Sequence, residues 1–159
     1  SRAGYRPHPA EVLLDAISQV TGIAEKFNGW PLGARAIEVW DNRMPSYFFR
    51  IFGRPTRTTV CACERGDAPS ISQALHLLNS SEIGEKIQHR HGRVRQLADS
   101  SLSPSAIIDE LYLSTVNRFP TAAERNLMLN ACNQNADRRE VVEDLMWTLL
   151  NTKEFLFNH

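Results

Sequence analysis

The second half of the chain carries a hydrophobic pattern that predicts amphipathic helices. From Ile107 to Phe119, apolar side chains recur at steps of one, three and four residues, the spacing of one helix face. Ser103 is suited to cap such a helix, Pro104 is suited to its first turn, and Pro120 ends it. We therefore predict a helix that begins at Pro104 and buries this stripe as far as Phe119.

Two further helices are predicted towards the end of the chain. Residues 121–124 have the spacing of a capping box, and the apolar residues that follow predict a helix through Cys132. Asp137 is placed to cap a helix whose apolar stripe occupies 141–150. Residues 152–157 are expected to add a last helical turn.

The first half mixes helical segments with a stretch that periodicity does not resolve. Helices are predicted at 9–20, at 81–88 and from Ser70 onward. Short apolar runs near 36–40 and 58–63 fit strands as well as irregular structure. The fold class is therefore mainly α, with an irregular middle segment.

Composition sets the class of protein. The chain has 159 residues, of which 42% are hydrophobic and 23% charged, and its formal net charge is zero. These values are typical of a soluble globular domain and argue against disorder, and no apolar run is long enough for a membrane span. We predict one domain over residues 1–159, a bundle of about six helices.

The densest group of chemically functional side chains lies in the middle of the chain. It comprises Arg54, Arg57, Cys61, Cys63, Glu64, Arg65, Gln73, His76 and Asn79. On an extended segment the two cysteines point to the same face, because side chains alternate along a strand. The last three residues lie three apart along the next predicted helix, after a short loop. If the two segments converge, they form a candidate binding pocket.

Several chemistries are open to this pocket. The three arginines suit an anionic substrate such as a sulfated or uronic polysaccharide. A cysteine thiolate with His76 as base would be a nucleophile. Zinc would take Cys61 and Cys63 with His76, or with His89 or His91, although a single C-x-C is less specific than paired C-x-x-C motifs. Alternatively, both cysteines are small buried side chains and the arginines are structural.

The sequence lacks the common motifs of catalytic and cofactor-binding sites. The sequence has no phosphate-binding glycine loop, no serine nucleophile elbow, no H-E-x-x-H and no C-x-x-C-H haem attachment site. The basic segment 86–95 has no interleaved aromatic residues for base stacking. We therefore expect no nucleic-acid partner, no membrane span and no cofactor in this domain, and we favour a non-catalytic module over an enzyme.

Six short motifs stand in an order that resembles a known family. They are Phe52–Pro55, Cys61–Arg65, Ser72–Asn79, Glu110–Leu113, Arg118–Thr121 and Asn151–Phe155. Together they resemble the C-terminal domain of unknown function that is abundant in planctomycete bacteria, with the similarity running from about Pro9 to His159.

The resemblance implies a setting. In that family the domain follows a second uncharacterised domain and often a cytochrome-c-like domain, so any haem would lie elsewhere in the parent protein. The chain starts at Ser1 without an initiator Met or a signal-peptide pattern, as expected of the C-terminal fragment of a larger protein. We expect a periplasmic or extracellular binding or scaffolding module, with other domains of the parent protein, or an anionic glycan or protein, as partners.

Overall fold

Helices make up most of the structure, a computed structural model that describes residues 6–27, 29–38, 80–134 and 137–158. In chain order the elements are β1 Arg6–Pro7, α1 Ala10–Thr21, α2 Ser81–Gln88, α3 Arg93–Asp99, α4 Pro104–Val116, α5 Ala122–Gln134, α6 Arg138–Leu150, α7 Lys153–Leu156 and β2 Phe157–Asn158. The prediction of a mainly helical fold is confirmed.

Local capping sets the beginnings of α4 and α5. The Ser103 hydroxyl accepts the backbone N–H of Ala106 at 3.3 Å. At the start of α5, the N–H of Thr121 donates to Glu124 Oε2 at 2.7 Å, and the N–H of Glu124 donates to Thr121 Oγ1 at 3.3 Å. Each bond satisfies a donor that the first turn leaves free. The predicted cap and capping box are both confirmed.

Local interactions also set the beginning of α6 and the end of α1. The Asp137 carboxylate accepts the backbone N–H groups of Arg139 and Glu140 at the start of α6. Gly22 adopts a φ of 74° directly after α1, a left-handed conformation that closes a helix and favours glycine. Both helix boundaries match the sequence prediction to within a residue.

Helix α6 is central to the hydrophobic core. It packs against α3, α4, α5 and α2. The apolar stripe predicted for it is at most 6% exposed and consists of Val141, Val142, Leu145, Met146, Leu149 and Leu150. Burying one such side chain stabilises the fold by about 1.5–3 kcal/mol, so this stripe is a major source of stability. On the other side of the core, α1 packs on α2 and α3.

The two ends of the described chain meet in a short antiparallel pair. Arg6 lies opposite Asn158 and Pro7 opposite Phe157, and the N–H of His8 donates to the Leu156 carbonyl at 3.2 Å. Periodicity cannot predict this pairing, because it joins segments from opposite ends of the sequence.

Of the two possibilities for residues 36–40, a strand or irregular structure, the described part is not a strand. Residues 36–38 form a turn. Asp15, on α1, accepts the backbone N–H groups of Ala36 at 2.6 Å and of Ile37 at 3.3 Å. A helix side chain, rather than a neighbouring strand, therefore satisfies these donors.

Two further expectations differ from the structure. Phe119 does not continue the buried stripe of α4 and is 62% exposed. The reason is that α4 ends at Val116, where Asn117 adopts a φ of 60° and turns the chain. Helix α3, which begins at Arg93, was not predicted. From the sequence alone, the segment from Lys86 to residue 95 is expected to be a helix end followed by a loop.

The possible strand at 58–63 and the helix predicted from Ser70 lie outside the described residues. Within the described part, none of the helices has the length and apolar content needed to cross a membrane.

Candidate functional site

The side chains predicted to form a pocket lie in one stretch of the chain, residues 39–79. Arg54, Arg57, Cys61, Cys63, Glu64, Arg65, Gln73, His76 and Asn79 are all outside the described residues. The pocket, its anionic substrate and the metal site at Cys61, Cys63 and His76 therefore stay predictions.

In the part of the chain that is described, no three His, Cys, Asp or Glu side chains group in a way that would hold a metal ion. His89 and His91 are close, with ring centroids 5.7 Å apart, and Nδ1 of His89 accepts the backbone N–H of His91. Both are exposed.

The basic segment 86–95 is largely neutralised by its surroundings. Lys86 pairs with Glu25 at 3.0 Å, and Arg95 pairs with Asp99 at 2.7 Å. Arg93 donates to the Val20 carbonyl at the end of α1. Three of the four cations thus have partners within the fold: Arg95 within α3 itself, and Lys86 and Arg93 on or just after α1.

The most concentrated polar cluster of the described residues surrounds Arg118, in the turn between α4 and α5. Its guanidinium makes a bidentate pair with Glu154 of α7, with both N–O distances 2.8 Å. It makes a second bidentate pair with Glu124 of α5, at 2.8 and 2.9 Å. The remaining donor goes to the Phe119 carbonyl at 3.0 Å. All five N–H donors of the guanidinium are used.

An aromatic ring completes this cluster. The guanidinium carbon of Arg118 lies 5.3 Å from the ring centroid of Tyr112, within the range of a cation–π interaction. Burial raises the pKa of Tyr112, and the Glu124 carboxylate raises it further. We name Tyr112, Arg118, Glu124 and Glu154 the Arg118 clamp.

Charge-assisted hydrogen bonds shift the pKa values of the clamp. The bond from Arg118, helped by the Thr121 backbone N–H, lowers the pKa of Glu124 to about 2. The bonds to Glu124 and Glu154 raise the pKa of Arg118. Arg118 and Glu124 are therefore both ionised at neutral pH, and the saturated guanidinium connects the α4–α5 turn to α7 instead of offering donors to a ligand.

Three of the six motifs that carried the family resemblance meet in this clamp. Glu110–Leu113 supplies the aromatic ring, Arg118–Thr121 supplies the guanidinium and the cap, and Asn151–Phe155 supplies Glu154. The clamp was not predicted from the sequence, although the capping box gave Glu124 a local role. The only signal was that each of these motifs contains a charged or aromatic side chain.

A second ion pair fixes the same helices. Arg125 of α5 donates to Asp109 and to the Ser105 hydroxyl, both on α4. With Glu124 held by Arg118, both charged side chains of α5 are engaged with neighbouring segments.

As a result, the outer surface of α5 carries no charged side chain. Its exposed residues, which we name the α5 face, are Ala122, Ala123, Asn126, Leu127, Asn130, Ala131, Asn133 and Gln134. Leu127 is 72% exposed, and Phe119 in the preceding turn is 62% exposed. In contrast, α2, α3, α4 and α6 each expose at least one carboxylate, such as Glu82 or Asp99.

A partly enclosed pocket lies between α4, α5 and α6, with a cavity volume of about 160 Å³. Its lining is Pro104, Ile107, Cys132, Arg138, Val141, Val142 and Leu145. We name it the α4–α6 pocket. Burial raises the pKa of the Cys132 thiol, while the charge of Arg138 acts in the opposite direction.

A wider and more open groove of about 540 Å³ lies between α1 and the segment that follows it. Its carboxylate Asp15 already accepts two backbone N–H groups and lies 3.7 Å from the Arg35 guanidinium. Its second acid, Glu25, pairs with Lys86, so the fold already uses both carboxylates of the groove.

Together these observations define a mainly helical domain whose helices are joined by buried apolar stripes and interhelical ion pairs. The chain belongs to the family described as PSD1, protein of unknown function (DUF1553), whose sequence profile matches residues 2–132. The expected membership of an uncharacterised domain family is thereby confirmed. Helices α6 and α7 follow the matched range. No curated protein and no solved structure matches the chain.

Proposed function

We propose that this domain is a non-catalytic binding and scaffolding module, and that the α5 face is its contact surface. The observation that carries the proposal is the lack of charge on the most exposed of the described helices. Eight of the thirteen residues of α5 are exposed, and none of them is ionisable.

The energetics of desolvation favour such a surface for binding another protein. Removing an exposed charge from water is unfavourable unless it finds a partner, whereas alanine and leucine gain from burial. Asparagine and glutamine can exchange water for hydrogen bonds across an interface. Interfaces are accordingly depleted of Lys, Glu and Asp. Leu127 and Phe119 give the surface two apolar anchors.

The two ion pairs of α5 support this role. They turn the charged groups of Glu124 and Arg125 towards neighbouring segments and fix the helix on α4 and the α4–α5 turn. A rigid helix presents its face without an ordering penalty on association, which favours binding.

The proposed partner is a second folded domain, and other domains of the same parent protein are the first candidates. Support comes from the motif resemblance, which implies a C-terminal position in an exported bacterial protein of a kind that often carries a cytochrome-c-like domain. On this proposal the protein is periplasmic or extracellular, and any haem would be bound elsewhere in the parent protein.

The test is site-specific photo-crosslinking in the full-length parent protein. A benzophenone side chain at Leu127 should crosslink to another domain, because that position lies within the interface. The matched control is Leu32, which is 80% exposed and lies outside α5. Equal crosslinking from the two positions, or none from Leu127, would reject the α5 face as the contact surface.

A further inference from the structure

The α4–α6 pocket combines an apolar wall with a cation that forms no ion pair with any acid among the described residues. Ile107, Val142 and Leu145 are among its apolar lining residues, and Arg138 is the charged group. This combination is independent of the α5 face and goes beyond the scaffolding role.

The hydrogen bonds of Arg138 leave part of its guanidinium available. Nε donates to the Ala98 carbonyl at 3.0 Å, and Nη2 donates to the carbonyls of Ser100 at 3.0 Å and Leu102 at 2.6 Å. Within the described residues, Nη1 has no acceptor and the side chain forms no ion pair. Three neutral carbonyl acceptors hold the side chain in place, and none of the described carboxylates pairs with its charge.

The nearest acid along the chain, Asp137, forms no ion pair with Arg138. The Asp137 carboxylate accepts the backbone N–H groups of Arg139 and Glu140 instead. On α4, Asp109 is held by Arg125. An incoming carboxylate would therefore find a guanidinium that the nearby acids leave without an ion pair.

The dimensions of the pocket limit the ligand. A cavity of about 150 Å³ with an apolar lining is sufficient for benzene. The α4–α6 pocket, at about 160 Å³, accepts an apolar body of similar size. A carboxylate attached to that body would meet Arg138 in a charge-assisted hydrogen bond.

We propose that the α4–α6 pocket binds a small monocarboxylate with an apolar body of about six carbons, its carboxylate on Arg138 and its body against Ile107, Val142 and Leu145.

Three probe molecules separate the two parts of the site. Benzoate carries both the ring and the charge, benzyl alcohol carries the ring alone, and acetate carries the charge alone. Because Cys132 lines the pocket, a bound ligand should slow alkylation of its thiol by iodoacetamide. Peptide mass spectrometry measures the alkylation of Cys132 separately from that of Cys61 and Cys63. We expect benzoate to protect Cys132 at lower concentration than benzyl alcohol, and acetate to give no protection.

Variants assign the effect to the pocket. Arg138→Gln should weaken benzoate binding about tenfold, as expected for loss of a charged hydrogen-bond partner, and leave benzyl alcohol binding within about twofold. Arg138→Lys keeps the charge and should retain the preference for benzoate. Cys132→Phe fills the cavity and should abolish binding of both ring compounds, measured by ligand-observed NMR.

Several results would overturn the proposal. Equal protection by benzoate and benzyl alcohol would show that the carboxylate of the ligand does not contribute to binding. Protection by acetate equal to that by benzoate would indicate surface ion pairing only, and no protection by millimolar benzoate would exclude the site. If Arg138→Gln fails to fold, the comparison of the three probes on the unaltered protein decides alone.

Discussion

At the scale of single residues, Arg118 shows how one side chain can join three segments. Its donors reach Glu124, Glu154 and the Phe119 carbonyl, and its face lies over Tyr112. Isolated surface ion pairs contribute about 0–1 kcal/mol, but bidentate geometry and a shared partner make this cluster stronger. The local half of the clamp, the capping box, is predictable from spacing alone. The pairing with Glu154 is not, because it depends on how α7 folds back.

The clamp predicts a specific pH dependence for the Glu124→Gln variant. Glutamine keeps the capping geometry and loses the charge, so the variant should be less stable than the parent by about 1 kcal/mol at pH 6. The pKa of Glu124 is lowered in the folded state from its ordinary value of 4.5 to about 2. Its stabilising effect is therefore complete above pH 4.5 and is lost as the pH falls towards 2. Urea unfolding across this range should show the difference between parent and variant shrinking.

A double-mutant cycle supplies the control for this prediction. In an Arg118→Ala background, Glu124 has lost the donor that shifts its pKa most, so Glu124→Gln should have a smaller effect that varies less with pH. A stability difference that stays constant from pH 6 to pH 2 in the parent background would contradict the assignment.

At the scale of elements, the sequence predicts helices well where a cap precedes an apolar stripe. Helices α4, α5 and α6 begin as their capping residues indicate, and α1 ends at its glycine. Helix α3 is missed because it has seven residues and its N-cap, Gly92, makes no side-chain hydrogen bond. The turn at 36–38 is missed because Asp15, far away in sequence, satisfies its donors.

Two glycines near α2 should respond in opposite ways to replacement by alanine. Gly84 lies within α2, and a Cβ there would meet no atom within 4 Å. Gly84→Ala should therefore stabilise the protein by about 0.5–1 kcal/mol through helix propensity. At Gly92 a Cβ would lie 3.1 Å from the His89 carbonyl oxygen and 3.2 Å from that of Thr21. Gly92→Ala should destabilise, because these backbone atoms come from two packed segments.

Thermal and urea unfolding of both glycine variants measure these effects. The pair is a matched control, since the chemical change is the same and only the surroundings differ. If Gly92→Ala were as stable as the parent protein, the close approach of α1 to the α2–α3 turn would not be as described.

At the scale of the whole molecule, the fold class was predictable but the candidate sites were not. Helical periodicity and caps are local, and they suffice for a mainly helical bundle. The α5 face and the α4–α6 pocket depend on which side of each helix its neighbours cover, and a single sequence does not contain that information. Leu127, for example, was assigned to the helix by its spacing, and only tertiary packing leaves it exposed. The pocket predicted around Cys61 and His76 depends on the same kind of long-range convergence.

The hypothesis of a zinc site at Cys61, Cys63 and His76 is tested by the zinc content of the whole purified protein. A structural zinc ion takes four protein ligands, and Cys61, Cys63 and His76 supply three. We therefore expect protein purified with added zinc to hold much less than one equivalent by elemental analysis, and a chelator to leave its melting temperature unchanged. One equivalent of zinc, lost in the Cys61→Ser variant, would contradict this and establish the metal site. Because metal binding to a folded site adds directly to folding stability, the chelator would then also lower the melting temperature.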